Sequence, residues 1–203
     1  MLTAAVVVGS LFTRSDSARD VPAIDAPAAG PTTPGAPAST VAPGGPTGGG
    51  NLAADPGFEA GLAGWRPIGG ARIERTAPAR GGRWAAGFTA TGATDQGMAL
   101  VEVLRCVPGR SYAASIWVQA SRPDALLQVN LLEVVAGRRY AVDTVGTVLG
   151  DGRWQRVEVA HLAHRPGATL ALELVLPRGS PRSTVLADDV EVTTHTASFM
   201  SDP

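Results

Sequence analysis

Two carboxylates and a short list of aromatic and amide side chains are the residues of this chain best placed to do chemistry. Glu59 closes the run Asp55-Pro56-Gly57-Phe58-Glu59, and Asp188 lies in Ala187-Asp188-Asp189-Val190-Glu191-Val192 near the other end. If that second run is a strand, Leu186, Asp188, Val190 and Val192 share one face, so Asp188 projects with core valines. A carboxylate in that position is costly unless it is hydrogen-bonded, ion-paired or bound to a metal. Backbone amides, or an arginine such as Arg83, would satisfy it; so would a hard cation, which prefers oxygen ligands, with Glu59 as a second carboxylate. Asp189, on the opposite face, is the weaker candidate.

Of the four tryptophans, Trp117 stands out. In Ser111–Ala120 the residues Tyr112, Ala114, Ile116 and Val118 form an apolar face, which leaves Trp117 on the other side with Ser115 and Gln119. An indole flanked by polar side chains is a stacking platform with hydrogen-bonding neighbours. In Ala125–Val134, Leu127, Val129 and Leu131 face one way and Gln128 and Asn130 the other, which sets two amides beside the indole if the strands are adjacent. Trp84 and Tyr140, close to turns, are candidates for the rim of a cleft.

Other chemistries find little support. Glu102, Glu133, Asp143 and Glu158 are available acids, but nothing in their context pairs two of them across roughly 5–10 Å, as glycoside hydrolysis requires. His161 and His164, three apart at a strand end, read as solvated surface residues and suit neither a metal pair nor a Ser-His-Asp site. The single cysteine, Cys106, cannot form an intramolecular disulfide; within the apolar run Val101–Val107 it reads as a small buried hydrophobe. The net charge is -1 and all 17 basic residues are Arg, dispersed among the acids, so no basic stripe points to nucleic acid.

The elements that must position these residues are strands. From Asn51 onward, short runs of alternating apolar residues are separated by Gly, Pro and Asp, and no window carries a helical stripe. The expected strands are Arg72–Thr76, Arg83–Thr91, Met98–Cys106, Ser111–Ala120, Ala125–Val134, Arg139–Val148, Trp154–His161, Ala168–Leu176 and Thr184–Thr193. Turn sequences such as Pro108-Gly109, Gly150-Asp151-Gly152 and Pro166-Gly167 divide them. So many short, evenly spaced strands predict an all-β fold of two packed antiparallel sheets over residues 51–194.

The flanks differ in kind. Residues 1–12, MLTAAVVVGSLF, are apolar and are followed by Arg14, Asp16, Arg19 and Asp20. Within the segment 1–20 this reads as part of an export signal or membrane anchor, too short to cross about 30 Å of hydrocarbon and lacking a basic start. Residues 21–50, rich in Pro, Gly, Ala, Ser and Thr with Asp25 as the one charge, read as a disordered linker. Residues 195–203 read as a tail.

Several pieces in order resemble the family 4/9 carbohydrate-binding modules, within the galactose-binding-like jelly rolls. They are Asn51-Leu52 with Asp55-Pro56-Gly57-Phe58-Glu59, Gly64-Trp65, Gly81-Gly82, Val107-Pro108-Gly109 leading into Ser115-Ile116-Trp117, Gly152-Arg153-Trp154, Pro166-Gly167 and Ala187-Asp188-Asp189-Val190. The resemblance implies a non-catalytic module, of the kind that can be an accessory to glycoside hydrolysis, that binds a polysaccharide or glycan on a concave sheet face. It also implies packing roles for Trp65 and Trp154 and a structural calcium ion held by Glu59 and Asp188 with backbone carbonyls near the Gly-Gly turn. The expected protein is a monomer, secreted or tethered to a membrane through its N-terminus. A cell-envelope interaction or structural sandwich without a sugar cleft is the alternative, favoured by an aromatic content of only 5%; a small hydrolase is a distant third.

Overall fold

The computed structural model describes residues 50–150 and 152–195, without the side chains of Glu102 and His195. The leader expected in residues 1–20, most of the linker and the tail after His195 lie outside the described residues.

Within them the chain is all β, with ten strands: β1 (Trp65–Ile68), β2 (Arg72–Thr76), β3 (Ala85–Ala90), β4 (Gln96–Arg105), β5 (Ser111–Ala120), β6 (Ala125–Val135), β7 (Arg138–Leu149), β8 (Gln155–Leu162), β9 (Thr169–Leu176) and β10 (Ser183–His195). They form two five-stranded sheets, ordered β1-β4-β9-β6-β7 and β2-β3-β10-β5-β8, and every pairing is antiparallel. This is the two-sheet antiparallel sandwich that the alternation predicts, and the architecture that the jelly-roll resemblance implies. Nine of the strands fall within a few residues of expectation; β1, only four residues long, had too little alternation to be read.

The inner faces supply the core. Tyr112, Ala114, Ile116, Val118 and Ala120 point inward from β5, and Leu170, Leu172, Leu174 and Leu176 from β9, all buried. Burying each such leucine stabilises the fold by about 1.5–3 kcal/mol. Phe58 and Trp65 close one end with their rings 5.5 Å apart, so the packing role expected of Trp65 holds. The segment before β1 is pinned to the last strand by Asn51: its Nδ2 donates to the Val190 carbonyl at 2.7 Å and its Oδ1 accepts from Val192 N at 2.9 Å. Tyr112 braces the turn before β5, its hydroxyl accepting from Val107 N at 3.0 Å.

Two expectations about facing require correction. Asp188 does not share a face with Val190 and Val192. A β-bulge shifts the β10–β5 register between Asp188 and Glu191, with Asp189 at φ 47°. The extra residue reverses the alternation, so Asp188 points outward with Leu186 while Val190 and Val192 point to the core. Nor are β5 and β6 neighbours: they belong to different sheets. Trp117 and Gln119 therefore lie on the outer face of the second sheet, and Gln128 and Asn130 on the outer face of the first.

Candidate ligand-binding site

The outer face of the second sheet is organised around β5. Alternation turns Ser115, Trp117 and Gln119 outward in one row, at roughly 6.6 Å spacing along the strand. Register places Arg156 and Glu158 of β8 opposite Trp117 and Ser115, and Asp188 and Glu191 of β10 on the other side. Beside this row is an open hollow of about 410 Å³ lined by Trp117, Ser115, Arg80, Arg156, Asp189 and Glu191, with Asn51 and Pro56 at its edge. A second hollow of about 240 Å³, lined by Gln119, Gly152, Thr184 and Leu186 among others, continues along β5.

The lining is polar and internally paired. The Arg80 guanidinium lies over the Trp117 ring, 3.8 Å from its centroid, and is paired with Asp189. Arg156 bonds the Ser115 hydroxyl at 3.0 Å and reaches Glu158 at 2.6 Å and Glu191 at 3.6 Å. Gln119 donates its Nε2 to the Gly152 carbonyl, and among the described residues its buried Oε1 has no partner. An orphaned buried acceptor is costly.

The outer face of the first sheet carries a different arrangement. Asn130 of β6, Glu173 of β9 and Thr144 of β7 stand side by side in register. Thr144 donates to Asn130 Oδ1 at 2.8 Å, Asn130 Nδ2 donates to Glu173 at 3.3 Å, and Arg139 pairs with the same carboxylate. Asn130 and Glu173 are 5% and 8% exposed although they face outward, whereas Thr144 beside them is exposed. Burial pushes the Glu173 carboxyl above its usual range, against the pull of Arg139 and Asn130. Gln128 lies next along β6 and is half-buried.

Trp84 and Tyr140 line neither hollow. Trp84 precedes β3 with the guanidiniums of Arg75 and Arg83 at 4.8 and 5.0 Å from its ring, and Tyr140 of β7 is covered by Arg165 at 4.2 Å. Trp117, Trp84 and Tyr140 thus all carry an arginine on the ring.

Glu59 and Asp188 do converge, on the turn that precedes β3. Glu59 Oε1 accepts from Arg83 N at 2.7 Å and Trp84 N at 3.0 Å, which holds its carboxyl below the usual range. Asp188, fully buried, accepts from Arg80 N at 2.8 Å and Gly81 N at 2.9 Å through Oδ2, and from Asp189 N through Oδ1. Burial raises its carboxyl, and these three amides oppose the rise. Gly57 lies beside both: an added Cβ would be 3.8 Å from Asp188 Oδ1 and 3.9 Å from Glu59 Cγ. All-oxygen donors with capacity left at Glu59 Oε2 and Asp188 Oδ1 fit a hard cation. Among the described residues no third His, Cys, Asp or Glu joins them, so further ligands would be carbonyls.

No protein family and no curated relative matches the chain. Solved structures do match. A xylan-binding domain, the first family 22 carbohydrate-binding module of Xyn10C from Paenibacillus barcinonensis, superposes with a TM-score of 0.60 at 19% identity, over 74% of this chain and 97% of that one. A cyclase from Fischerella sp. TAU, solved with an indolyl butanone, gives 0.53 at 18% identity over 70% and 95%. The arabinose-bound α-L-arabinofuranosidase MgGH51 gives 0.57 at 17% identity over 72% of this chain, which spans about a quarter (26%) of that enzyme. At such identities the likeness establishes the sandwich fold; chemistry must come from the side chains.

The residues that sequence reasoning missed are Arg80, Arg156 and Glu191; Asp189 was weighed only as a weaker partner for a cation, and the structure puts it at the hollow. Arg156 and Glu191 carried a weak signal, since alternation puts them on outward positions of strands flanking β5. Arg80 carried none, because it reaches Trp117 from a loop.

Proposed function

We propose that this domain is a non-catalytic glycan-binding module whose ligand lies along β5 on the outer face of the second sheet. The observation that carries the reading is the outward row Ser115, Trp117 and Gln119, facing two successive hollows. An indole offers an apolar ring face, while the hydroxyl, guanidinium, carboxylate and amide groups around it offer both donors and acceptors to sugar hydroxyls. The shared fold of a xylan-binding domain supports the reading, as does the family 4/9 resemblance. Of the acids weighed for a hydrolase, Glu133 and Asp143 both bond His161 and Glu158 pairs with Arg156. The part of an export signal or membrane anchor read in residues 1–20 supports an extracytoplasmic location, secreted or tethered. We also assign a structural calcium ion to Glu59 and Asp188, where it would brace the turn that carries Arg80.

The polar row Asn130, Glu173 and Thr144 favours a second reading, in which the glycan lies on the first sheet. A glycan array probed with the full chain and with Trp117→Ala and Asn130→Ala separates the two. The first reading expects binding that falls about tenfold in Trp117→Ala, since losing an aromatic contact costs on the order of 1 kcal/mol or more, and that survives in Asn130→Ala. The reverse pattern moves the ligand to the first sheet. No binding to any glycan overturns the module and favours a structural or protein-interaction sandwich.

A further inference from the structure

Arginines that are dispersed along the sequence are gathered by the fold. Three connections meet at the end of the sandwich where β5 begins: β4–β5, β6–β7 and β8–β9. Residues 103–111, 134–142 and 162–170, which make up these turns and their strand ends, contain Arg105, Arg110, Arg138, Arg139, Arg165 and His164, and no acid. All six are exposed. At the opposite end the connections 91–95, 121–124, 150–154 and 177–182 set four arginines against three aspartates, so the excess belongs to one end.

The turns form one platform. Gly109 N donates to the Ala163 carbonyl at 2.7 Å, Ala163 N to the Arg110 carbonyl at 3.0 Å, and Cys106 N to the Ala168 carbonyl at 2.8 Å. Register sets Arg105 opposite Thr169, Thr169 opposite Val134 and Val134 opposite Arg139, which puts the two arginines roughly 14 Å apart across the first sheet. Arg139 pairs with Glu173 and Arg165 lies over Tyr140, whereas among the described residues Arg110 and Arg138 form no ion pair. The acids that flank the second segment, Glu133 and Asp143, point inward. Glu133 is buried and accepts from His164 N and Arg165 N; with Asp143 it meets His161, which is itself buried and not the solvated residue that the sequence suggests.

Apolar side chains stand among these cations. Val107 opens the turn Val107-Pro108-Gly109-Arg110, closed by Arg110 N donating to the Val107 carbonyl at 3.0 Å, and it is 48% exposed. Leu162, opposite Ser111 on β8, is 45% exposed. A soluble polyanion would engage the cations only. A phospholipid surface takes cations at its phosphates and apolar side chains beneath them.

We propose that this end of the sandwich docks on an anionic phospholipid surface, with the arginines at the headgroup phosphates and Val107 entering the headgroup layer. The chain enters the domain on the same half: Leu52 N donates to the Val192 carbonyl at 2.7 Å, three residues before β10 ends opposite Ser111. That placement agrees with the membrane tether read in residues 1–20. Trp117 lies six residues along β5 from Ser111, about 20 Å away, so docking leaves the hollow beside it open and stands apart from the glycan reading.

Co-sedimentation of the full chain with two kinds of vesicle tests this: phosphatidylcholine alone, and phosphatidylcholine with about 30% phosphatidylglycerol. Any contribution of the apolar residues 1–12 is common to every variant and cancels between them. Each cation at an anionic surface is worth about a fivefold gain, so the mixed vesicles are expected to be preferred about a hundredfold at low salt and much less at high salt. Arg110→Gln/Arg138→Gln should cut that preference about 25-fold. Val107→Ser should weaken binding to the mixed vesicles severalfold and leave retention on immobilised heparin unchanged. Equal binding to the two vesicles, or a preference that the double variant keeps, overturns the proposal. So does a Val107→Ser chain that binds mixed vesicles like the wild type, which would assign the end to a soluble polyanion.

Discussion

Arg80 lies over Trp117, its guanidinium carbon 3.8 Å from the ring centroid, and Asp189 holds it there. The platform that would stack against a ligand is therefore covered on one face by the protein itself. Stacked cations at sites this exposed contribute about 0.5–1 kcal/mol, which a ligand could displace. Arg80→Ala is expected to uncover the indole: acrylamide quenching of tryptophan fluorescence should rise, and the rise should vanish in Arg80→Ala/Trp117→Phe. Unchanged quenching would mean that the ring is shielded from another side.

Gly82 has φ +62°, and a Cβ there would stand 2.2 Å from Glu59 Oε1. Any side chain at this position both strains the backbone and pushes Glu59 off the amides of Arg83 and Trp84. Gly82→Ala should cost about 1–3 kcal/mol from the left-handed conformation alone, with more from the amides it frees. Because the two residues act through one contact, the double variant Gly82→Ala/Glu59→Ala should lose less stability than the sum of the single losses, measured by denaturant unfolding. Strict additivity would show that the clash is relieved elsewhere.

How much of this was legible in the sequence follows from the range of each interaction. Strand alternation is local, so Ser111–Ala120 and Arg72–Thr76 could be read to the residue. Asp188 was misread because one extra residue at Asp189 reverses a two-residue period, and a bulge leaves no mark in a pattern of Asp and Val. Gln128 and Asn130 were correctly turned away from the core, yet placed beside the wrong ring, because which sheet a strand joins is a long-range property. Glu133, Asp143 and His161 were each noted singly; their meeting across the sandwich edge depends on pairing that no local window contains.

The turn held by Glu59 and Asp188 gives the calcium assignment a clear readout. Added calcium should raise the melting temperature of the wild type and EDTA should lower it, because bound calcium stabilises the folded state by RT ln(1 + [L]/Kd), about 2.7 kcal/mol at a hundredfold excess over Kd. Glu59→Ala and Asp188→Asn should abolish the calcium response. Equal melting curves in calcium and EDTA would leave the carboxylates as amide caps only.

Glu173, buried on the outer face of the first sheet, makes a pH prediction of opposite sign to that of an ordinary paired acid. Burial raises the Glu173 carboxyl above its usual range in the folded state, more than Arg139 and Asn130 lower it. Between the unfolded and folded values the native protein binds more protons than the unfolded chain, so its stability falls as the pH rises through that window. Above the folded value the full cost of a buried charge is present. Glu59, held low by the Arg83 and Trp84 amides, works the other way: its contribution is lost as the pH falls. The wild-type curve alone therefore mixes the two. Glu173→Gln keeps the acceptor for Arg139 and Asn130 but cannot ionise, so subtraction isolates Glu173. The melting temperature of Glu173→Gln minus that of the wild type should increase from about pH 4 upward and then level off. A difference that stays constant, or that shrinks with rising pH, would show that Arg139 compensates fully for the buried charge and that this face tolerates an anion at no cost.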